Sequence, residues 1–352
     1  MMSNFGHQVV LAARPHGAPR VSDFRLEQFS IPEPGVGEIL LSAKYLSLDP
    51  YMRGRMDDRK SYSPPTPIGG VMEGDVVAEV VTSQHPDYQV GDRVLAHLGW
   101  RTHAISDGTG LAKLDTRFSP VTTALGVLGM PGLTAYAGLL TIGRPQPGET
   151  VVVAAASGPV GSLVGQIAKL KGARVVGIAG GQKKCAFVKN ELGFDEVVDH
   201  RSPRFAMELA AACPNGVDVY FELVGGAVWQ GVFPLLNEFA RVPVCGLISQ
   251  YNTSGQGAEP DHLPATMREI LSRSLTLRGF IVREFADQKA RFLEEVSTWI
   301  ANGKIRYQED LVIGLSNAPA ALIGLLEGQN FGKLIVAIDE ASERSSGKRQ
   351  VI

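Results

Sequence analysis

Cysteine is scarce in this sequence, and long apolar runs, basic clusters and a strong excess of charge are missing. The 352-residue chain has three cysteines, Cys185, Cys213 and Cys245, which are odd in number and far apart. This spacing argues against a disulfide framework or a close-spaced metal site, so we expect buried free thiols. The formal net charge of -2 gives no electrostatic footprint for nucleic acid or an anionic membrane. No apolar run reaches the length of a membrane span.

The first segment, MMSNFGHQVVLAARPHG, also lacks the charged region followed by an apolar stretch that marks a secretory signal. We therefore expect a cytoplasmic protein whose partner is a small molecule, with no nucleic acid and no membrane. The residues that are present, 44% hydrophobic and 20% charged, are typical of a globular protein with large cores. The length of the chain predicts two domains.

Two patterns follow each other along the chain. In the first part, short β-like runs such as EILLSAKYLSL, GDVVAEVV and DRVLAHLGW alternate with turn signals and predict a β-rich domain. From about residue 150 to residue 280, β-like runs such as TVVVAAA and ARVVGIA alternate with helical ones. This alternation predicts a parallel sheet covered by helices. The final run, ASERSSGKRQVI, is polar, and we expect it to fray.

A variant of the dinucleotide-binding turn lies between a buried strand and an amphipathic helix. Ala156, Gly158 and Gly161 occupy the places of a G-x-G-x-x-G finger. Alanine in the first place allows a tight turn if its φ is negative, while Gly158 lets the backbone approach a pyrophosphate and Gly161 permits close helix-strand contact. A turn without a ligand is the alternative, but its place between strand and helix favours dinucleotide binding. The apolar residues of the helix share one face: Val160, Leu163, Val164 and Ile167.

The residues after the second strand of this unit favour NADPH over NADH. An NAD site usually supplies a carboxylate to the ribose about twenty residues after the finger, whereas this chain reads GIAGGQKKC. The glycine pair that starts at Gly180 leaves room, and Lys184 with its neighbouring lysine brings charge that suits a 2′-phosphate. His200 and Arg201 follow the next strand at the same sheet edge and strengthen this interpretation. Lysines on a solvated helix face are the alternative.

Seven motifs in a fixed order carry a resemblance to a known family: LDPYMRGRM, GMPGLTAYAGL, AASGPVGSLVGQIAK, VYFELVGG, VCGLISQYN, LRGFIV and NFGKLIV. On these motifs, nearly the whole chain resembles the medium-chain dehydrogenases/reductases, and within them the zinc-independent prostaglandin/alkenal reductase and curcumin reductase group. The resemblance implies an α/β fold in which a Rossmann domain, with its doubly wound parallel sheet, is inserted in a β-rich GroES-like domain. The implied boundaries are residues 1–125 for the first part of the GroES-like catalytic domain, 126–310 for the Rossmann NADP-binding domain, and 311–352 for the return to the catalytic domain and a polar tail. A homodimer is also expected from the resemblance.

The resemblance further implies roles for single residues. Lys184 matches a lysine that contacts the 2′-phosphate, and Tyr251 matches a tyrosine near the nicotinamide ribose and the substrate oxygen. Tyr51 matches a tyrosine of the substrate pocket, and Asn330 matches a residue near the nicotinamide. The implied cofactor-binding residues are Thr134, Ala156, Gly158, Pro159, Val160, Gly161, Gly180, Lys184, His200, Tyr251, Phe280, Val282 and Asn330, of which Phe280 and Val282 contribute backbone. The implied catalytic residues are Tyr251 and Tyr51.

Two positions depart from the family pattern. His200 stands where relatives usually have a tyrosine beside the adenosine phosphate, and Leu223 replaces a common asparagine.

A third difference concerns metal: a catalytic zinc needs about three protein ligands, usually including Cys or His. The segments SLDPYMR and GGVMEGD, where zinc-dependent relatives hold the metal, contain neither residue type. Because Asp49 and Glu73 alone are a poor ligand set, we expect no metal.

The chemistry most compatible with these groups is NADPH-dependent reduction of the carbon-carbon double bond of an α,β-unsaturated ketone or aldehyde. Hydride addition to the β-carbon builds negative charge on the carbonyl oxygen, where Tyr251 and the ribose hydroxyl can donate hydrogen bonds. The proton for the α-carbon comes from a tyrosine or from water, and the sequence favours neither. A quinone reductase is the second interpretation, and an NADPH-binding protein without turnover is the third.

Overall fold

The computed structural model describes residues 5–115, 120–253 and 262–338 of the chain, so the polar run ASERSSGKRQVI lies outside the described residues. The strands, numbered in chain order, are β1 Phe5–Leu11, β2 Phe24–Ser30, β3 Ile39–Ser47, β4 Val76–Ser83, β5 Arg93–Ala96, β6 His103–Ser106, β7 Ala112–Lys113, β8 Thr150–Val153, β9 Arg174–Ala179, β10 Glu196–Asp199, β11 Val217–Phe221, β12 Leu236–Val244, β13 Thr276–Gly279, β14 Glu309–Ile313 and β15 Lys333–Ala337. The α-helices are α1 Tyr51–Arg55, α2 Met130–Ala137, α3 Pro159–Leu170, α4 Gln182–Asn190, α5 Phe205–Ala212, α6 Gly226–Val232, α7 Leu263–Ser272, α8 Lys289–Ala301 and α9 Ala318–Leu326. Short 3₁₀ helices lie at Val21–Asp23, Val121–Leu125, Phe233–Leu235, Ile248–Gln250, Val282–Gln288 and Leu315–Asn317, and a π-helix lies at Gly138–Gly143.

The chain divides into two compact units. The first unit combines the residues up to 126 with those from 309 onward, and the second unit consists of residues 127–308 within the described part of the chain. The first unit is therefore discontinuous in sequence, and the second is inserted in it. No helix in the described ranges has the length and apolar character that a membrane span requires.

The first unit is β-rich. Its larger sheet has the strand order β14-β15-β3-β4-β5-β7, with β6 paired to β3, and β1 and β2 form a separate antiparallel pair. The return of the chain joins this sheet because β15 pairs antiparallel with β3. Its core includes Met52, Met72 and Trp100, none of which is exposed. This arrangement confirms the β-rich GroES-like part of the predicted fold.

The second unit contains a six-stranded sheet in the order β10-β9-β8-β11-β12-β13, and every neighbouring pair is parallel. Counted from β8, this is the order 3-2-1-4-5-6 of a doubly wound dinucleotide-binding sheet. The strand order reverses between β8 and β11, and ligands of such sheets bind at the carboxyl ends of the strands at that point. The predicted Rossmann fold is confirmed.

The sequence pattern explains how α3 packs. Leu163, Val164 and Ile167 are at most 1% exposed, as their helical spacing predicts. Val160 is half-buried and lies in the first turn of α3, beyond the carboxyl end of the central strand β8. The neighbouring strand β8 is buried at all four positions, which is typical of a central strand covered on both faces. These contacts fix the N-terminus of α3 at the switch point.

Candidate active site

The turn between β8 and α3 is built from small residues. Ala155 has a φ of 47°, in the left-handed region, and it is the one non-glycine residue of this turn with a positive φ. The finger position Ala156 therefore has the negative φ that the sequence analysis requires, and its N–H donates to the Ile178 carbonyl at 2.9 Å. The N–H of Gly158 donates to the Ala155 carbonyl at 2.9 Å, which closes the turn. The backbone strain thus falls one residue before the finger position.

Helix α3 begins without a side-chain cap. Gly158 is its N-cap in extended conformation, with φ -81° and ψ 169°, and Pro159 is the first helical residue. The N–H groups of Val160 and Gly161 belong to the first turn, whose donors have no carbonyl partner within a helix. Together with the positive end of the helix dipole, such donors stabilise an anion. This end of α3 suits a pyrophosphate.

Gly161 and Gly158 are required to be small for different reasons. A Cβ at residue 161 would lie 2.5 Å from the carbonyl oxygen of Ala155 and 2.9 Å from that of Ala154, both of which are backbone atoms. A Cβ at residue 158 would lie 3.2 Å from the Ala155 oxygen, a tighter than usual contact but not an impossible one. Gly161 therefore permits the close packing of α3 on β8, while Gly158 leaves backbone open toward a ligand.

The carboxyl end of β9 meets the end of β10 at Gly180. A Cβ at this residue would lie 2.7 Å from Nε2 of His200 and 3.1 Å from Nε of Arg201, so the glycine makes room for both side chains. Asp199 fixes the surrounding backbone, because its Oδ1 accepts the N–H groups of Gly181 at 3.0 Å and Arg201 at 2.9 Å. Burial opposes the charged carboxylate, but these two hydrogen bonds hold the pKa of Asp199 below its usual value. The nearest carboxylate is thus engaged by backbone donors.

Positive charge accumulates at the same sheet edge. Burial of His200 lowers its pKa below 6.5, and the positive charge of Arg201 lowers it further. Lys184 acts in the same direction. Lys184 therefore lies close enough to interact electrostatically with His200. The structure brings together Gly180, Lys184, His200 and Arg201, as the sequence predicts. A phosphate at this edge would be stabilised by charge-assisted hydrogen bonds.

Tyr251 follows the 3₁₀ helix Ile248–Gln250, beyond the carboxyl end of β12. Its backbone N–H donates to the Ile248 carbonyl at 3.3 Å. The side chain folds back toward Gly246: a Cβ built there would lie 3.4 Å from the Tyr251 hydroxyl oxygen. The Tyr251 side chain is half-buried, and its hydroxyl lies near the backbone of Gly246, just after the chain leaves the sheet.

Other predicted cofactor residues of the second unit have identified contacts. Thr134 is 5% exposed, and its hydroxyl donates to the Met130 carbonyl of the same helix at 2.7 Å. Phe280 follows β13, where its N–H donates to the Val244 carbonyl at 3.3 Å. Its ring is buried and packs edge to face against Phe221, with centroids 6.3 Å apart. The Phe280 side chain therefore belongs to the core, which agrees with a purely backbone role for this segment.

Two predicted residues lie in the first unit, on segments that a buried ion pair joins. The Nζ of Lys333 donates to Asp49 Oδ1 and to the Leu48 carbonyl, each at 2.7 Å. Asp49 precedes Tyr51 by two residues, and Asn330 precedes Lys333 by three. The Asn330 side chain donates to the Gly332 carbonyl at 2.8 Å. The ion pair thus connects the segment of Tyr51 to that of Asn330.

Tyr51 is held in its neutral form. Burial, and then the negative charges of Asp49, Asp75 and Glu73, raise the pKa of Tyr51 far above 10. The phenol therefore keeps its proton throughout the neutral range. It can donate a hydrogen bond or a proton, but it is not an anionic base at rest.

The residues in the segments of the zinc-dependent relatives do not fit a metal. The Asp49 carboxylate accepts from Lys333 and from the Ser47 hydroxyl. Glu73 lies 3.4 Å from the Nε of Arg55, and Asp75 lies 2.7 Å from Nδ1 of His97. Within the described ranges, no group of three or more His, Cys, Asp or Glu side chains could hold a metal ion.

Comparisons with known proteins agree with this geometry. Residues 7–114 match the family model described as the N-terminal domain of oxidoreductase, and residues 159–299 match the model described as zinc-binding dehydrogenase. The chain is 53% identical over 330 residues to the NADPH-dependent curcumin reductase of Escherichia coli (strain K12). The aligned residues cover 94% of this chain and 96% of that relative. The chain belongs to the medium-chain dehydrogenase/reductase family.

Other relatives of this chain support its predicted place in the prostaglandin/alkenal reductase and curcumin reductase group. The chain is 43% identical over 328 residues to prostaglandin reductase 1 of Oryctolagus cuniculus, with 90% of this chain and 89% of the relative covered. Among solved structures, it resembles CurA from Vibrio vulnificus in complex with NADPH, with a TM-score of 0.92 and 53% sequence identity. That likeness covers 95% of this chain and 99% of CurA. The resemblance drawn from the seven motifs is confirmed.

Sequence reasoning left two charged residues without a role. Arg55 is 2% exposed, and its guanidinium lies over the rings of Tyr62 at 4.3 Å and Tyr51 at 5.9 Å. Glu222 is 1% exposed and follows β11 directly. The signal for Glu222 was a carboxylate between a buried run and two glycines in VYFELVGG. Arg55 gave no signal, because an arginine in a polar-looking short helix is usually exposed.

Proposed function

We propose that this protein reduces the carbon-carbon double bond of α,β-unsaturated ketones and aldehydes with NADPH. The observation that carries the proposal is the likeness, over nearly the whole chain, to an NADPH-dependent curcumin reductase at 53% identity. The arrangement of the phosphate turn and of the cationic sheet edge supports the same cofactor. A small carbonyl compound is therefore the partner, and the protein is an oxidoreductase acting on CH–CH groups.

Residues of the second unit would hold NADPH. The first turn of α3, with Gly158, Pro159, Val160 and Gly161, offers backbone donors to the pyrophosphate. Lys184, His200 and Arg201 would surround the 2′-phosphate: Gly180 leaves space for the side chains of His200 and Arg201, and Lys184 interacts electrostatically with His200. Ala156 of the turn between β8 and α3, and Thr134 of α2, also belong to the predicted cofactor-binding set.

NADPH supplies a hydride to the β-carbon of the double bond when it is bound, so negative charge develops on the substrate carbonyl oxygen. Tyr251 would donate its hydroxyl hydrogen to that oxygen, and donors aimed at developing charge commonly lower the barrier most. Asn330 and the backbone of Phe280 and Val282 would orient the reacting groups. Tyr51 would line the substrate pocket, and its raised pKa keeps a proton available to the α-carbon, with water as the other donor.

A substrate panel tests this function. We expect the purified protein to oxidise NADPH in the presence of small enones and alkenals, with the saturated carbonyl compound as product. NADH should be used much less efficiently. Turnover of quinones with no turnover of enones would indicate a quinone reductase instead. NADPH binding with no turnover of any member of the panel would indicate a binding protein without catalysis.

We also propose that the protein forms a homodimer through the second unit. In support, β13 is an edge strand of the six-stranded sheet, and an edge strand offers unpaired backbone groups to a second copy. The preceding helix α7 carries three exposed apolar residues at a spacing of four: Leu263, Met267 and Leu271, which are 63%, 55% and 82% exposed. Such a stripe is typical of a surface that packs against a partner.

Light scattering coupled to gel filtration tests the dimer. The wild-type protein should have twice the mass of one chain, and Leu271→Glu should shift it toward the monomer. Val90→Glu is the matched control, because Val90 is 65% exposed in the first unit. A monomeric wild-type protein would contradict the proposal.

We further propose a cytoplasmic location, supported by three cysteines that are all free thiols.

A further inference from the structure

Among the described residues of the second unit, Glu222 is the one buried side chain of the Asp, Glu, Lys and Arg types, and the proposed chemistry does not use it. Glu222 is 1% exposed and stands at the carboxyl end of β11, next to the switch point of the sheet. Its Oε1 accepts the N–H groups of Val224 at 2.6 Å and Gly225 at 2.9 Å. Both bonds are made to the loop that continues directly from the strand. The carboxyl therefore determines the path of the chain where it leaves the sheet.

This loop is bonded in turn to the segment that carries Tyr251. The Glu222 carbonyl accepts the N–H groups of Cys245 at 3.0 Å and Gly246 at 3.3 Å. The Val224 carbonyl accepts both the N–H of Ser249, at 3.0 Å, and its hydroxyl, at 2.6 Å. Residues 222–224 thus hold residues 245–249 by several hydrogen bonds. Tyr251 follows two residues later and folds back over Gly246.

Glycines make the loop dependent on this carboxyl. Gly225 and Gly226 have φ values of 74° and 54°, a region that side chains rarely adopt. A Cβ at Gly226 would lie 3.0 Å from the Ser249 hydroxyl oxygen, so the two segments are in close contact. Because glycine has many accessible conformations, a fixed acceptor is needed to select this one.

Burial of Glu222 is costly to the fold. Burial raises the pKa of Glu222, although the N–H groups of Val224 and Gly225 act in the opposite direction. The Tyr220 hydroxyl is adjacent to this carboxyl and also acts to lower its pKa, but within the described residues neither Glu222 Oε2 nor the Tyr220 hydroxyl makes a hydrogen bond of good geometry. Unsatisfied buried polar atoms destabilise a core. The two hydrogen bonds of Oε1 oppose these costs, and an apolar side chain of this size could not make them, so the carboxyl is explained by the path of the loop rather than by packing.

We propose that Glu222 is a positioning residue whose carboxyl fixes the loop of residues 222–226 and thereby the turn that places the Tyr251 hydroxyl. This inference rests on the role of Tyr251 in the proposed function. Glu222 does not touch the reacting atoms; it acts through the loop and through residues 245–249. The acceptor on Oε1, rather than the negative charge, is the property that the loop requires.

Two substitutions of similar volume separate the acceptor from the charge. Glu222→Gln keeps an acceptor oxygen, and it should retain turnover within about threefold of the wild type. Glu222→Leu leaves the N–H groups of Val224 and Gly225 unpaired, and it should lower kcat by up to about a hundredfold, since a misplacement near 1 Å can have that effect. Amide exchange at Ile248 and Ser249 should accelerate in the Leu variant only. Leu209→Ala, a fully buried residue of the same core, controls for general destabilisation and should leave kcat unchanged.

A double-mutant cycle with Tyr251→Phe connects the loop to the hydroxyl. If Glu222 acts through Tyr251, Glu222→Leu should change kcat by less than about threefold in the Tyr251→Phe background. Fully additive losses would overturn the inference, as would unchanged exchange at Ile248 and Ser249 in the Leu variant. If Tyr251→Phe alone keeps wild-type turnover, the role of Tyr251 in the proposed function fails. In that case amide exchange by itself decides whether Glu222 holds the turn.

Discussion

Among the described residues, the first unit buries four charged side chains, Asp49, Arg53, Arg55 and Lys333, whereas the second unit buries Glu222 alone. The first unit holds its functional segments by ion pairs and guanidinium contacts between distant parts of the chain. The second unit shapes its cofactor site with glycines and backbone hydrogen bonds. The difference fits the tasks that we propose for the two units, because a pyrophosphate needs backbone at close range, while a substrate pocket needs side chains held in fixed positions.

The largest expected effect comes from breaking the buried ion pair of the first unit. Lys333→Met leaves Asp49, which is 5% exposed, without its cationic partner. Removal of one member of a buried pair typically costs about 3–5 kcal/mol. We expect the free energy of unfolding of the first unit to fall by that amount. Urea unfolding, monitored with a spectroscopic probe placed in the first unit, measures the loss.

The second unit offers a matched control for this prediction. Lys189 and Glu196 form a pair with the same 2.7 Å separation, but both side chains are more than 40% exposed. Lys189→Met should therefore change stability by less than about 1 kcal/mol. Equal effects of the two substitutions would contradict the idea that burial gives the ion pair of the first unit its importance.

The next effect concerns the charge that the second unit keeps at its surface. Lys184→Ala should weaken NADPH binding by about ten- to a hundredfold, since a charged hydrogen bond is worth roughly 1.5–3 kcal/mol. NADH lacks the 2′-phosphate, so its affinity should change little. Titration of both cofactors by fluorescence measures the difference. Lys189→Ala, at the other end of α4 and 48% exposed, is the control and should leave both affinities unchanged. An equal loss for both cofactors in the Lys184 variant would refute the phosphate contact.

Two glycines in one turn should separate folding from binding. Gly161→Ala would place a Cβ 2.5 Å from the Ala155 oxygen, and overpacking of this kind typically costs about 1–3 kcal/mol. Gly158→Ala meets its nearest atom at 3.2 Å, so it should unfold much like the wild type but bind NADPH more weakly. Thermal unfolding and cofactor titration distinguish the two variants. The reverse pattern would mean that the roles of the two glycines are exchanged.

Local patterns made the second unit more accessible to sequence reasoning than the first. The run from β8 to β9 could be predicted because strand, finger and helix are contiguous and each has its own periodicity. The left-handed Ala155 was not predicted, because alanine carries no marker of positive φ. The pair of Asp49 and Lys333 was missed for another reason: its members are 284 residues apart in the chain. No local pattern relates such residues, and Asp49 alone resembles a surface or structural carboxylate.

The smallest expected effect concerns the thiols, all three of which lie in the second unit. The expectation of buried thiols is confirmed for Cys213 and wrong for Cys185 and Cys245, which are half-buried. Burial raises the pKa of Cys245 to about 12 and that of Cys213 to about 11. Burial, and then the charge of Asp199, also raise the pKa of Cys185. The thiolate is the reactive form, so its scarcity protects cysteines from electrophiles such as α,β-unsaturated carbonyl compounds.

We therefore expect Cys213 and Cys245 of the native protein to react with iodoacetamide at pH 7.5 at least about tenfold more slowly than glutathione, even after allowance for the higher nucleophilicity of a high-pKa thiolate, and Cys185 to react more slowly than glutathione by a smaller factor. Mass spectrometry of the peptides measures the three rates separately. In guanidinium chloride all three cysteines should react at ordinary rates, which controls for reagent quality. Incubation with an alkenal, without NADPH, should leave activity unchanged. Rapid labelling of Cys245 in the folded protein would contradict the prediction, because it would show that the second unit does not protect this thiol from electrophiles.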